Sequence, residues 1–179
     1  MNYQDIYDFW FTQLQPEQWW KKDVAVDSYI TTNFKTLHQQ ANRGELFQWR
    51  KTPKGRLAEI ILLDQFSRNM FRGASRAFAS DSLALILAQE AISIGLEQEL
   101  TAVERSFIYM PFMHSESLLI HDQAVQLFTQ NGLQSNLDFE IMHRNIIVKF
   151  GRYPHRNEIL KRTSTTEELA FLTQPNSSF

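Results

Sequence analysis

The fold is decided by the most apolar stretch of the chain, which reads Leu57-Ala58-Glu59-Ile60-Ile61-Leu62-Leu63. A helix that is hydrophobic around nearly its whole circumference belongs at the centre of a protein. The segments on either side show the 3.6-residue period of amphipathic helices. Two apolar stripes precede the central stretch, formed by Ile6, Phe9, Trp10 and Leu14, and by Ile30, Phe34, Leu37 and Ala41. The sequence therefore predicts one buried helix surrounded by others.

Glycine and proline are scarce, with six and five residues among 179. Few turns can be built from so few breakers, which favours long helices. Five of the glycines follow an apolar-periodic segment and are natural helix ends: Gly44, Gly73, Gly95, Gly132 and Gly151. We predict an all-α fold of about eight helices without a strand, whose spacing suits antiparallel pairs. It forms a single domain over residues 1–179, with a frayed tail at 173–179.

Helix boundaries near the polar motifs are also predicted. The central helix is expected to run on through Asp64 as far as Arg72, and another helix is expected from His114 to Gln130. Pro111 must kink or end the helix that contains it. Two capping boxes predict helix starts, Thr101-Ala102-Val103-Glu104 and Ser164-Thr165-Thr166-Glu167.

The composition excludes several classes of protein. Without cysteine there is no disulfide framework, no thiolate metal site and no cysteine nucleophile. The N-terminus lacks the features of a signal peptide, and no apolar run approaches the roughly 18 residues of a membrane span. A formal net charge of −2 argues against a nucleic-acid partner. We therefore expect a cytoplasmic protein that contacts neither membrane nor nucleic acid.

Positive charge is concentrated near the C-terminus. Residues 143–163 contain six lysines and arginines but one acid, Glu158. Within this stretch Arg152, His155, Arg156 and Asn157 surround a glycine stop and a proline turn. Arginine side chains and helix N-terminal amides together form anion sites. The alternative is that the arginines cap helix carbonyls and pair with Asp64 or Glu116.

The end of the central segment carries a polar ribbon. Asp64, Arg68 and Arg72 follow one another at intervals of four residues and share one face of a helix. In one interpretation Asp64 and Arg68 satisfy each other. In the other, Arg68 and Arg72 bind a carboxylate or phosphate while Asp64 orients a guanidinium.

Two further segments place histidine near glutamate. His114 and Glu116 directly follow the segment of Pro111, and Glu140 with His143 has a spacing that can ligate a metal. A mononuclear site built from His114, Glu116 or Glu140, and His143 is geometrically conceivable. A histidine hydrogen-bonded in a polar seam is the simpler interpretation. We therefore assign no metal and no cofactor, and keep His114, Glu116 and His143 as candidate catalytic residues.

These blocks give the chain a family resemblance. It resembles the bacterial family catalogued as domain of unknown function 924 along nearly its whole length, in Asp8-Phe9-Trp10-Phe11, Leu62-Leu63-Asp64-Gln65-Phe66, Arg68-Asn69, Phe71-Arg72-Gly73, Pro111-Phe112-Met113-His114-Ser115-Glu116, Phe150-Gly151-Arg152-Tyr153-Pro154-His155-Arg156-Asn157 and Ser164-Thr165. The family pattern usually has proline where Ser67 stands and often glycine where Lys161 stands. The resemblance implies a compact, tetratricopeptide-like superhelix of antiparallel helix pairs and no established activity. It also implies that the polar blocks are family motifs.

Three functions are compatible with these residues. The leading hypothesis is a groove that binds a small anionic molecule or a peptide carboxylate through Asp64, Arg68, Arg72, Arg152, His155, Arg156 and Asn157. The second is an enzyme, such as a hydrolase, in which His114 or His143 acts as general base with Glu116 or Asp64 orienting it. The third is a structural or protein-interaction module whose polar motifs seal helix junctions.

Overall fold

The computed structural model describes residues 1–175, 177 and 178. Within that part of the chain there are nine α-helices and no strand, which confirms the all-α prediction. Their bounds are α1 Tyr3–Asp8, α2 Val24–Asn42, α3 Pro53–Leu63, α4 Gln65–Met70, α5 Asp81–Ser93, α6 Ala102–Met113, α7 Leu118–Asn131, α8 Gln134–Phe150 and α9 Thr166–Leu172. Short 3₁₀ turns, among them Ser75–Phe78 and Pro154–Arg156, join several of them.

Helix α3 is the centre of the molecule, as the sequence predicts. Every residue of 57–63 is at most 1% exposed. The helix packs against α1, α2, α5 and α6, so apolar side chains meet neighbours on all sides. Helices α5 to α8 pack on one another in chain order. The two apolar stripes of the N-terminal segments are buried against this core as expected. The tetratricopeptide-like arrangement and the single-domain extent stay predictions.

The central helix ends earlier than predicted. Asp64 leaves the regular helix, with φ −90° and ψ −65°, and separates α3 from the short α4. The hydroxyl of Ser67 donates to the Leu63 carbonyl at 2.6 Å, an alternative to the regular helix bond pattern. Asp64 is completely buried. Asp64, Arg68 and Arg72 therefore do not form the predicted ribbon on one continuous helix.

The segment after Pro111 also differs from the prediction. Helix α6 continues for two residues past this proline and ends at Met113, and α7 begins only at Leu118. His114 and Glu116 therefore lie in a link between helices and not inside the helix that was expected to begin at His114. The backbone freed from helical geometry lets these two side chains point to different partners.

Both capping boxes exist, and one is displaced by a residue. Thr101 and Glu104 cap α6 as predicted. The last helix is capped by Thr165 and Glu168, one residue later than the predicted Ser164 and Glu167. All five glycines predicted as helix ends have positive φ. At Gly151, which closes α8 with φ 67°, a residue with a Cβ would be strained.

The C-terminal tail is partly described. The Ser177 side chain is buried, and its hydroxyl donates to the Leu172 carbonyl at 3.2 Å. The predicted fraying of 173–179 falls partly on Asn176 and Phe179, which lie outside the described residues. Among the helices described, none has the length and apolar character needed to cross a bilayer. The cytoplasmic location stays a prediction.

Candidate functional site

A cavity of about 310 Å³ opens where four segments meet. These are the turn Ser75–Phe78, the start of α5, the end of α6 with the link that follows, and the turn Pro154–Arg156. The lining residues that bear on function are Phe78, Asp81, Ser82, His114, Glu116 and Arg156. The structure thus brings together residues from two of the polar blocks seen in the sequence, at the size of a small-molecule pocket.

An alternating row of charges lies beside the cavity. Nη1 of Arg68 is 3.1 Å from Oδ1 of Asp64 and also donates to the Asp64 carbonyl at 2.9 Å. The same guanidinium holds both carboxylate oxygens of Asp81, at 2.9 and 3.1 Å. Two acids therefore share one arginine. The pairing of Asp64 with Arg68 that the sequence left open is present, and Arg68 has little capacity left for a ligand.

His114 completes the environment of Asp64. Its Nδ1 lies 2.7 Å from Asp64 Oδ1. Gln65 also donates its side-chain N–H to Asp64, at the other carboxylate oxygen. Since an ionised carboxylate only accepts hydrogen bonds, the His114 proton in this contact resides on Nδ1. The second ring nitrogen, Nε2, makes no hydrogen bond to any described residue and is not one of the buried nitrogens that lack a partner. His114 as a residue lines the cavity.

The charge states of this pair follow from its surroundings. Burial alone would raise the pKa of Asp64, but the positive charge of Arg68 and the contact with His114 outweigh it and keep that pKa below its ordinary value. Burial lowers the pKa of His114, and the nearby Arg68 adds to this effect, whereas Asp64 opposes it. At neutral pH the pair is therefore an ionised aspartate and an uncharged histidine.

Arg156 is the arginine that lines the cavity. Its guanidinium lies between two aromatic rings, 4.5 Å from the centroid of Phe78 and 4.6 Å from that of Tyr153. It contacts Asp81 at 3.3 Å and donates to the His114 carbonyl at 3.0 Å. Its Nε is buried and has no hydrogen-bond partner among the described residues. With Asp81 already bonded twice by Arg68, the charge of Arg156 is only partly balanced.

The start of α5 faces the same cavity. Ser80 occupies the N-cap position, but its hydroxyl donates to Asn42 Oδ1 at 2.8 Å instead of capping the helix. Asp81 and Ser82, the first two residues of the helix, both line the cavity. The first amides of a helix lack intrahelical partners and carry partial positive charge. The positive end of this helix dipole therefore lies at the same cavity as Arg156.

Glu116 lines the cavity, but its carboxylate is occupied by contacts within the protein and is not available to a ligand. Its carboxylate accepts the Tyr153 amide at 2.7 Å and two N–H groups of Arg162, at 2.7 and 2.9 Å. Arg162 also donates to the Tyr153 carbonyl. The contact network fixes Tyr153, whose ring supports Arg156. The alternative in which Arg152 or Arg156 pairs with Glu116 named the wrong arginine, because the partner is Arg162, 46 residues away from Glu116.

Several predicted site residues lie outside the cavity. Arg72 pairs with Asp27, and Arg152 with Glu168. Asn157 links Arg162 to Ser164. The His155 ring lies 5.5 Å from that of Tyr153. Arg144 pairs with Asp122, and Arg162 pairs with Glu116. Acids from other parts of the chain thus neutralise most of the positive charge in residues 143–163. Ligand binding by Arg72, Arg152, His155 and Asn157 stays a prediction.

The residues of the conceivable metal site are not assembled. The Nδ1–H of His143 donates to the Phe139 carbonyl at 2.8 Å. Glu140 pairs instead with His121, a residue the sequence did not single out, at 2.7 Å and with both side chains fully buried. In the described part of the chain, no three His, Asp or Glu side chains converge so as to hold a metal ion.

Residues that sequence reasoning missed are Phe78, Asp81 and the Tyr153 ring. Asp81 carries one signal, since an acid at the start of a helix is typical of a partner for the helix dipole. Its pairing with Arg68 and Arg156 depends on tertiary structure alone.

Comparison with known proteins gives a family and one similar structure. The family model described as "Bacterial protein of unknown function (DUF924)" matches residues 6–176. The solved structure of the protein of unknown function ATU0120 from Agrobacterium tumefaciens is 40% identical, with a TM-score of 0.91, over 95% of this chain and 96% of that one. Among curated proteins, none matches.

Proposed function

Because the chain belongs to the bacterial DUF924 family, whose description assigns no activity, we propose a function from the site itself. The cavity beside Arg156 binds a small molecule through a carboxylate or phosphate group. The observation that carries this proposal is the state of Arg156, which is buried, lies against the cavity and is only partly paired.

A buried guanidinium without a full set of acceptors is costly. A charge removed from water is stabilised by a counter-charge and by hydrogen bonds to its donors. Asp81 supplies one contact at 3.3 Å and the His114 carbonyl another at 3.0 Å. Nε has almost no exposed surface. An anionic ligand in the cavity would therefore accept from the remaining N–H groups of the two terminal nitrogens, in the planar fork geometry that guanidinium favours. The two flanking rings fix the plane in which it would be held.

The volume limits the ligand. About 310 Å³ lies at the lower end of the range for small-molecule sites. A compact acid fits this space better than a peptide that must continue out of the cavity. Asp81 next to Arg156 limits the net positive charge, so recognition depends on directed hydrogen bonds more than on a strong field.

We expect succinate or inorganic phosphate to raise the Tm of the wild-type protein. Arg156→Lys keeps the charge but loses the planar fork, so it should reduce this Tm shift by at least half. The matched control is Arg72→Lys, because Arg72 makes its ion pair with Asp27 outside the cavity. Differential scanning fluorimetry with each anion, followed by calorimetric titration, measures both effects.

Two results would contradict the proposal. One is the absence of any Tm shift with either anion in the wild-type protein. The other is an equal shift in wild type and Arg156→Lys, which would place binding elsewhere. In either case the polar residues would serve only to join the helices.

A further inference from the structure

We propose that Asp64 and His114 form a general base that activates water in the cavity, and that the protein hydrolyses esters of small carboxylic acids. The inference rests on the proposed function in one respect, since Arg156 is taken to anchor the acidic end of the substrate. The other end then lies beside His114, which lines the same cavity.

The orientation of His114 carries the argument. Its Nδ1–H donates to Asp64 at 2.7 Å, which fixes the ring and places the lone pair on Nε2. Nε2 bonds to no described residue and is not among the buried nitrogens that lack a partner. Because His114 lines the cavity, we place this nitrogen at the cavity. A general base needs a free lone pair within reach of the proton that it removes, and an orienting group behind it.

A second acid–histidine pair in the same molecule shows what a structural pair looks like. His121 contacts Glu140 with Nδ1, and its Nε2–H donates to the Ser115 carbonyl at 2.8 Å. Both nitrogens are in use, and both side chains are fully buried. His114 makes the contact to an acid through Nδ1, but its Nε2 bonds to no described residue. Sealing a helix junction would not require one nitrogen to face a cavity.

Asp64 is a positioning residue in this arrangement. It receives donors from Arg68, Gln65 and His114, so its carboxylate stays ionised although it is completely buried. It holds the His114 tautomer and stabilises the imidazolium that forms when Nε2 takes a proton. Arg68 is in turn held by Asp81, which limits the movement of the whole row.

The reaction balances with water as the only co-reactant. The water oxygen adds to the acyl carbon while His114 Nε2 takes its proton. The bond from that carbon to the alkoxy oxygen then breaks, and the imidazolium returns the proton to the departing alcohol. The products are a carboxylic acid and an alcohol. Arg156 lines the same cavity and would balance the negative charge of the substrate.

The charged groups around His114 set the pH dependence. Asp64 and Arg68 face it from the α3–α4 junction, and Asp81 from α5. His143 faces it from α8, and His155 and Arg156 from the turn after α8. Burial and Arg68 lower the pKa of His114 below 6.5. The unprotonated base therefore predominates at neutral pH. The rate should rise with pH and reach half of its maximum below pH 6.5.

The test uses two esters of matched size, para-nitrophenyl hydrogen succinate and para-nitrophenyl butyrate. The wild-type protein should hydrolyse the succinate ester with the higher kcat/KM. His114→Ala should lower kcat at least about 100-fold, and added imidazole should restore part of it through the open cavity. Asp64→Asn should lower kcat and change the pH profile. The matched control is Glu140→Gln, which alters the buried pair that faces no cavity and should leave kcat unchanged.

The inference is wrong if wild type and His114→Ala hydrolyse the succinate ester at the same rate. This includes the outcome in which both show only background hydrolysis. It is also wrong if imidazole leaves the variant unchanged while circular dichroism shows it folded. Calorimetric titration with succinate separates the two proposals. Binding without His114-dependent hydrolysis leaves the proposed function intact. Hydrolysis with a KM that Arg156→Lys does not change would remove Arg156 as the anchor.

Discussion

Tyr153 joins three parts of the molecule at a single residue. Its hydroxyl donates to the Met113 carbonyl at 2.5 Å and lies 3.1 Å from Nε2 of His121. Its ring lies under the guanidinium of Arg156, and its amide is held by Glu116. The side chain is completely buried. The sequence pattern does not indicate these contacts of Tyr153, because the partners are 32 to 40 residues away.

Tyr153→Phe separates these roles. The substitution leaves the Met113 carbonyl buried without its donor, which costs about 1–3 kcal/mol of unfolding free energy. The ring remains under Arg156, so the succinate-induced Tm shift should be retained. Urea denaturation and fluorimetry measure the two quantities, with Tyr3→Phe at a partly buried site as control. A loss of the Tm shift with unchanged stability would contradict this division.

Residue type alone could not rank the candidate arginines. Arg68, Arg72, Arg152 and Arg156 occupy polar blocks that look alike in sequence. The fold gives Arg72 to Asp27, 45 residues away, and Arg152 to Glu168, and leaves only Arg156 with a buried nitrogen and an adjacent cavity. The residues that decide the site are thus the acids, whose positions are set by tertiary packing.

At the scale of elements, short helices are fixed by polar contacts as much as by apolar ones. The last helix, α9, has seven residues, too few to be stable alone. Its capping glutamate, Glu168, also accepts two N–H groups of Arg152, at 2.6 and 2.8 Å. The capping box was predicted one residue too early because Ser164 and Thr165 are both good N-caps. With Thr165 as the N-cap, Glu168 pairs with Arg152.

Glu168→Gln should release α9 without unfolding the core. The neutral side chain loses its charge-assisted bonds to Arg152, so amide protons of α9 should exchange with solvent at least about 10-fold faster. Amides of α3 should keep their exchange rates. The substitution Glu167→Gln, one residue earlier on the exposed side of the helix, is the control. Equal acceleration in α3 and α9 would show instead that the whole fold is weakened.

At the scale of the molecule, helix content and helix order were readable because the breakers are few. Each of the five positive-φ glycines closes a segment whose apolar period is visible in the sequence. The break at Asp64 was not readable, since no glycine or proline marks it. At this break the Ser67 hydroxyl bonds back to Leu63 and lies 2.8 Å from Nε2 of His38. Asp64, which stands at the break, is the residue that holds His114 of the cavity.

Buried histidines make the stability of the whole molecule depend on pH. Burial lowers the pKa of His38 to about 4, of His143 to about 3 and of His155 to about 4. In the unfolded chain each has a pKa near 6.5. The unfolded state therefore binds more protons below pH 6.5, and the folded state is favoured above it. The stabilisation is complete above about pH 6.5 and is lost as the pH falls toward 4.

Each of these histidines should lower the free energy of unfolding by up to about 1.4 kcal/mol for each pH unit. The three together should lower it by roughly 4 kcal/mol for each pH unit. That is a large part of the stability of an ordinary domain, so unfolding should begin in mild acid. His38→Gln, which retains a polar group near Ser67 without a titrating ring, should reduce the slope by about one third. Urea denaturation at a series of pH values measures the slope for both proteins. A wild-type unfolding free energy that stays constant between about pH 7 and 5 would show that these histidines take up protons in the folded state as readily as in the unfolded chain.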